Sequence, residues 1–263
     1  MRIVTWNINS LRLRLPLVAK LTQEVGPDLL CLQETKVPDE AFPMEGVRAL
    51  GYAHVLYRGM KGYNGVAILS RLPIEDAGSR DWCGKPDARH VAARLANGLE
   101  VHNFYVPAGG DEPNPEVNDK FAHKLEFMAE MAAWWKKRAR GGAAAVLLGD
   151  LNVAPLETDV WSHKQLLKIV SHTPVEVELL GQVMAAHDWV DAVRHFVPPD
   201  EKLFSWWSYR SRDWRVSNRG RRLDHIWVTP AVTPALRSAS VLSDARDWER
   251  PSDHAPVIVD IDM

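Results

Sequence analysis

The sequence predicts an α/β protein in which two packed β-sheets carry helices on their outer faces. Three observations support this. Short apolar runs rich in β-branched residues recur at 3–6, 29–32, 66–69, 91–95, 101–106, 146–148, 226–228 and 257–261, the length and composition of buried strands. Helical periodicity is clear in two places only, at about residues 10–24 and 116–140. Adjacent strand runs often lack a helix between them, which argues against a regularly alternating, doubly wound sheet.

Taken in order, the chain opens directly on the strand-like run Arg2-Ile3-Val4-Thr5-Trp6, with Ser10 placed to cap the first helix. Cys31 lies inside Asp28-Leu29-Leu30-Cys31-Leu32 and reads as a small core residue. Asn97-Gly98 separates two strand runs and signals a hairpin, because both residues accept positive φ. The second helix closes on Lys136-Lys137-Arg138-Ala139-Arg140 and then Gly141-Gly142. Cations at the carbonyl end followed by glycine suit a helix terminus. Irregular stretches are expected at 107–115, 173–180 and 205–222, and loops of that length tend to carry function. With no repeat, low-complexity tract or linker, residues 1–263 are expected to form one domain.

The formal net charge of −2 gives no support to nucleic-acid binding, so any positive surface must be local. Two cysteines do not make a secreted disulfide framework. No signal-peptide pattern and no run of 18 apolar residues is present, so no membrane partner is expected and the cytoplasm is the expected location.

Five short polar clusters each sit at the end of an apolar run: Trp6-Asn7-Ile8-Asn9, Gln33-Glu34-Thr35-Lys36, Gly149-Asp150-Leu151-Asn152, Leu223-Asp224-His225 and Ser252-Asp253-His254. Singly each has a plain structural reading, a turn cap, a lysine pair or an Asx-turn. Together they describe a site at the rim of a rigid sheet. Asp150 and Asn152 are two apart, so on an extended backbone they share a side. A carboxylate and an amide so placed can activate a water and bind a phosphate oxygen. Glu34 is a hard ligand suited to Mg²⁺. His254 can donate to a phosphoryl oxygen, with a carboxylate such as Asp224 fixing its tautomer. No cysteine–histidine spacing suggests zinc, and no Gly-x-Ser-x-Gly elbow supports a serine nucleophile. The chemistry indicated is phosphate ester hydrolysis by metal-activated water.

These motifs, with Gln33-Glu34-Thr35-Lys36, Phe204-Ser205-Trp206-Trp207-Ser208-Tyr209-Arg210 and Ser252-Asp253-His254-Ala255-Pro256, resemble the ordered motifs of the endonuclease/exonuclease/phosphatase superfamily. Within it the chain is similar to the exonuclease III branch of abasic-site endonucleases. The resemblance covers nearly the whole chain. It implies a four-layer α/β sandwich and Mg²⁺, with Mn²⁺ able to substitute. It also implies a monomer acting in the bacterial cytoplasm or nucleoid on duplex DNA with abasic sites or damaged 3′ ends. By the same resemblance Asn7, Glu34, Asp150, Asn152, Asp253 and His254 group around the metal and the scissile phosphate. Asp150 would position the attacking water, Asp224 would orient His254, and Tyr105 would hold the phosphate or leaving oxygen. Asn9 and Arg221 depart from some relatives, which place an aspartate and a pocket-lining aromatic there.

Residues 205–225 hold six arginines against Asp213 and Asp224, interleaved with Trp206, Trp207 and Trp214. Arginines neutralise phosphates while aromatics and Leu223 cover an unstacked sugar. Trp206, Trp207, Arg210, Arg212, Arg221 and Leu223 are therefore expected to contact DNA, with Arg89 a further phosphate contact. The alternatives are a phosphatase acting on small or lipid phosphates, a non-catalytic DNA-binding protein, and a secreted nonspecific DNase.

Overall fold

The computed structural model describes residues 1–138, 143–211 and 213–263. In chain order its elements are β1 (Arg2–Asn7), α1 (Leu11–Val25), β2 (Leu29–Gln33), α2 (Met44–Ala49), β3 (His54–Arg58), β4 (Val66–Ser70), β5 (Ile74–Gly78), β6 (His90–Leu95) and β7 (Glu100–Tyr105). There follow α3 (Asp119–Lys137), β8 (Ala145–Asp150), α4 (His163–Leu166), α5 (Pro174–Ala186), β9 (Val190–Asp191) and β10 (Trp206–Trp207). The last are α6 (Trp214–Ser217), β11 (Gly220–Arg221), β12 (Asp224–Val228), β13 (Leu236–Val241) and β14 (Val257–Ile261).

Two six-stranded sheets run in the orders β13-β14-β1-β2-β4-β3 and β5-β6-β7-β8-β12-β9, with β10 and β11 a separate ribbon. At the centre of each lies one parallel pair, β1 with β2 and β7 with β8, connected through α1 and α3. The other ladders are antiparallel, so both sheets are mixed. Alternation along each strand sorts the side chains. Ile3, Leu29, Cys31, Val66 and Ile68 face Val91, Val101, Val146, Leu148 and Ile226 in a core between the sheets. Val4, Trp6, Leu30 and Leu32 turn outward onto Leu11, Val18 and Leu21 of α1. Phe104, Leu147 and Trp227 turn outward onto Phe127, Met131 and Trp135 of α3 and Leu180 and Val183 of α5. The result is a four-layer α/β sandwich.

All eight expected strand runs are strands. The first expected helix, at about 10–24, forms as α1 (Leu11–Val25), but Ser10 has φ 89° and makes no side-chain cap, and Gly26 closes the helix in the left-handed region. The second helix starts at Asn118, whose side chain accepts from the backbone N–H groups of Lys120 and Phe121. Its expected stop at Gly141-Gly142 lies outside the described residues. The hairpin forms at 96–99, but only Gly98 adopts positive φ. Asn97 instead accepts the Leu99 N–H.

The expectation of an irregular stretch at 173–180 is overturned. Residues 173–180 are not irregular but open α5, with Pro174 at the first position and Glu176 accepting from the Thr173 backbone N–H. Thr173-Pro174-Val175-Glu176 is a capping box, and that spacing was the available signal. Cys31 and Cys83 are free thiols. Among the described residues no helix is long and apolar enough to cross a membrane.

Candidate active site

The polar clusters meet because of strand direction. Asn7 ends β1, Glu34 follows β2, Tyr105 ends β7 and Asp150 ends β8. Asp224 begins the antiparallel β12 and pairs in register with Asp150, so it stands at the same rim, and His254 lies three residues before β14. Tyr105 is in register with Asp150 across the parallel ladder. That approach depends on Gly149 (φ 133°), where a Cβ would come within 1.9 Å of the Phe104 carbonyl oxygen. Beneath the rim the sheets are joined by buried amides. Gln33 Nε2 donates to Thr5 Oγ1 and Asn103 Oδ1 at 2.9 and 2.7 Å, and Asn103 Nδ2 donates to the carbonyls of Leu32 and Ala67.

His254 is the centre of the site. Its Nδ1 lies 2.8 Å from Asp224 Oδ2, which also accepts from Ser205 Oγ at 2.6 Å. Its Nε2 faces Asp150 Oδ2 at 3.7 Å, and Trp6 Nε1 donates to its carbonyl at 2.9 Å. Burial pulls the imidazole pKa down, but Asp224 and Asp150 overcome this and lift it to about 10. The ring is an imidazolium near neutrality. Burial lifts the Asp150 carboxyl to about 7 against the pull of the His254 charge, with Asp224 adding to the rise.

Across from this pair, Asn7 Nδ2 donates to Asp150 Oδ2 and Glu34 Oε1, each at 2.8 Å. Tyr105 Oη donates to the same Glu34 oxygen at 2.8 Å. Burial, with Glu34 and Asp150 nearby, pushes the phenol pKa well up, so it remains a donor. Burial works against the Glu34 charge, but Asn7 and Lys36 outweigh it and hold the carboxyl below its ordinary pKa. Lys36 Nζ bridges Glu34 Oε2 at 2.8 Å and Asn9 Oδ1 at 2.7 Å. Asn9, Glu34, Lys36 and Asn152 all have φ between 46° and 54°. Left-handed backbone at four such residues concentrates strain at the rim.

The donor set fits a hard cation. Ligand atoms of Asp150, Asp224 and His254 lie within 4.8 Å of one another, and Asp224 Oδ1 is buried without a hydrogen-bond partner among the described residues. A protonated imidazole offers no lone pair, however, so the ring is better suited to donate a proton than to hold metal. The oxygens of Glu34 and Asp150 suit Mg²⁺. Asp253 spends its two oxygens on Asn9 Nδ2 and Trp206 Nε1, at 3.1 and 2.9 Å.

Asn152 is beside Asp150, but not through strand alternation. The strand ends at Asp150, and an Asx-turn takes over in which Asn152 N donates to Asp150 Oδ1 at 3.0 Å. Its Nδ2 donates to the Val106 carbonyl, and its own carbonyl accepts from Lys124 Nζ at 2.7 Å. Lys124 in turn pairs with Glu176 at 2.5 Å, both fully buried.

Glu34, Asn152, Asp253 and His254 open onto a cleft of about 700 Å³, also lined by Trp161, Trp206, Leu223, Arg210, Arg219 and Arg221. Arg221 Nη1 donates to Val170 O and Ser171 Oγ while its guanidinium lies 5.2 Å from the Trp206 ring centre. Arg219 covers Trp161 in the same way. The rest of the expected basic loop is spent elsewhere. Arg222 is buried against Asp159 and Asp191, and Arg215 pairs with Asp244 and Asp247 on the surface. Arg212 lies outside the described residues. Trp207, expected on DNA, is only 5 % exposed and packs with Phe204 and Ala255. Arg89 pairs with Asp87 and lies 4.9 Å over the Tyr105 ring, a place that props the tyrosine.

Trp161 has no signal in the sequence, and Ser205 and Arg219 stand there only as members of a motif and of the basic loop, without the contacts they make here. Their roles depend on long-range contacts that no local pattern encodes.

The chain matches the Endonuclease/Exonuclease/phosphatase family over residues 4–254. It is 32% identical over 268 residues to exodeoxyribonuclease III of Haemophilus influenzae, covering 98% of each chain. Its structure is similar to the 3′ phosphatase NExo from Neisseria, solved bound to product DNA hairpin, with a TM-score of 0.91 and 33% identity. It is similar also to an AP endonuclease from Archaeoglobus fulgidus, with a TM-score of 0.92 and 32% identity. Each covers 100% of both chains.

Proposed function

Because the chain belongs to the endonuclease/exonuclease/phosphatase family and is a hydrolase of the exodeoxyribonuclease III and AP endonuclease kind, we propose that it is a Mg²⁺-dependent phosphodiesterase. It hydrolyses duplex DNA on the 5′ side of abasic sites and also trims and cleans 3′ ends. The observation that carries this reading is the His254 ring, clamped between Asp224 and Asp150 and opposite the Tyr105–Glu34–Asn7 group.

Glu34, Asn7 and Asp150 would hold the Mg²⁺ ion, which when bound supplies positive charge against the phosphate oxygens. Asp150 orients the attacking water and accepts its proton. His254 donates from Nε2 to a phosphoryl oxygen, and Asp224 keeps the proton on Nδ1 so that Nε2 faces the substrate. The remaining amide hydrogen of Asn152 contacts the phosphate, and Tyr105 donates to the phosphate or the leaving oxygen. Arg210, Arg219 and Arg221 neutralise phosphates along the cleft, over the Trp206–Leu223 wall. An abasic nucleotide is the easier one to extrude, because no stacking or pairing is lost with it.

Incubation with duplexes bearing an abasic site, a 3′-phosphate or a blunt end, in Mg²⁺ or in chelator, tests the reading. Cleavage at the abasic site in Mg²⁺ alone is expected. Hydrolysis of soluble phosphomonoesters in preference to every duplex would favour the phosphatase alternative.

A further inference from the structure

A cluster of side chains of metal-ligating type lies outside the cleft, where α3 meets the turn at Trp82–Gly84. Cys83 comes from that turn, and His123 and Glu126 come from one face of α3, three residues apart. A ligand atom from each lies within 4.8 Å of the other two. Cys83 sits in the left-handed region at φ 54°, and its N–H donates to Glu130 Oε2 at 2.5 Å, which ties the turn to the helix. The His123 side chain is 10 % exposed. One ring nitrogen, Nε2, faces Asp87 Oδ2 at 3.4 Å, while Nδ1 is buried and has no hydrogen-bond partner among the described residues. A buried unpaired ring nitrogen is unfavourable. A histidine with one nitrogen on a carboxylate and the other free has the form of a metal ligand backed by its outer carboxylate.

We propose that Cys83, His123 and Glu126 bind a zinc-class divalent cation, with Asp87 as the carboxylate behind the histidine. One thiolate, one imidazole and one carboxylate select a borderline-soft ion over Mg²⁺, which prefers oxygen. Three protein ligands leave the fourth tetrahedral position to water. Local spacing could not announce the site, because Cys83 and His123 are brought together by the packing of α3 on the sheet. Asp87 also pairs with Arg89, which lies over Tyr105, so the ion would stand one carboxylate away from the residues that prop the tyrosine. The proposal is independent of the reaction assigned to the cleft.

Full-length protein, stripped with chelator and returned to Mg²⁺ buffer, is titrated with Zn²⁺ against a chromophoric chelator. Wild type should take up one more equivalent than Cys83→Ser or His123→Gln, and Asp87→Asn should weaken that equivalent by roughly 10–100-fold. Any zinc bound in the cleft is common to all the variants and cancels. Co²⁺ should give a thiolate charge-transfer band in wild type that Cys83→Ser lacks. The surface change Glu126→Gln, which disturbs no core packing, should also weaken uptake. In wild type alone, saturating Zn²⁺ should protect Cys83 from alkylation, since Cys31 is fully buried and contributes no signal. Equal zinc uptake by wild type and the ligand variants, or alkylation indifferent to Zn²⁺, would overturn the proposal.

Discussion

The charge on the His254 ring depends on its two neighbouring carboxylates. The ring holds its proton below about 10 because Asp224 and Asp150 outweigh the effect of burial. Asp224→Asn keeps the shape and removes the charge, so the histidine pKa falls and the ring deprotonates at lower pH. The alkaline limb of the rate profile should therefore move to lower pH, with turnover reduced more than DNA affinity. Adding Asp224→Asn to His254→Ala should cost little beyond His254→Ala alone, because the two act as a unit. Losses that multiply would separate them. The pairing also bears on stability, since a raised histidine pKa stabilises the fold fully below its ordinary value of 6.5 and ceases to as pH rises through about 10. Glu34 makes a second test. Glu34→Ala should lower activity by roughly 10²-fold at ordinary Mg²⁺ and recover in part at high Mg²⁺, whereas full activity in chelator would remove it from the metal. Glu34, Asp150, Asp224 and His254 were legible as residue types at strand ends. The left-handed backbone at Glu34 and Asn152 was not, because it is imposed by the turns that seat them.

At the scale of elements, the strands that sequence reasoning missed are instructive. β3, β5, β9 and β13 are the four edges of the two sheets. Edge strands are paired on one side only and keep exposed polar residues, so they lack the continuous apolar run of a central strand. The basic loop was read correctly in sign but not in distribution. Arg215, 51 % exposed and paired with Asp244 and Asp247, should leave the salt slope of DNA binding unchanged when replaced by alanine. Arg210→Ala, whose side chain has no carboxylate partner among the described residues, should lower that slope by about one unit. The reverse result would put the surface around Arg215 on DNA. The Lys124–Glu176 pair joins α3 to α5 and supports the Asn152 carbonyl. Burial pulls the Lys124 pKa down and Glu176 resists this. Lys124→Met strands a buried carboxylate and should destabilise the protein by about 3–5 kcal/mol in denaturant unfolding. Stability within error of wild type would show that the pair carries little.

For the whole molecule, the four layers follow from strand alternation, which sends one face of each sheet inward and the other onto helices. That much was legible because central strands and amphipathic helices leave periodic patterns. The conjunction of the five polar clusters made one site legible, but the way the two sheet rims join was not, since Asn7 and His254 are at opposite ends of the chain. Within a chain of net charge −2, Arg210, Arg219 and Arg221 line the opening of a cleft that also holds Glu34, Asp111 and Asp253, while Arg215 and Arg222 are neutralised locally. The central claim is that Asp150 prepares water for attack on a phosphodiester held at this rim. It is tested most directly by single-turnover cleavage of an abasic-site duplex in Mg²⁺, comparing wild type with Asp150→Asn at matched DNA occupancy. Wild type should incise on the 5′ side of the abasic site in a Mg²⁺-dependent reaction, slowed on the order of 10²–10⁴-fold in the variant. Incision that is equally fast in Asp150→Asn, or no incision by wild type at full occupancy, would contradict it.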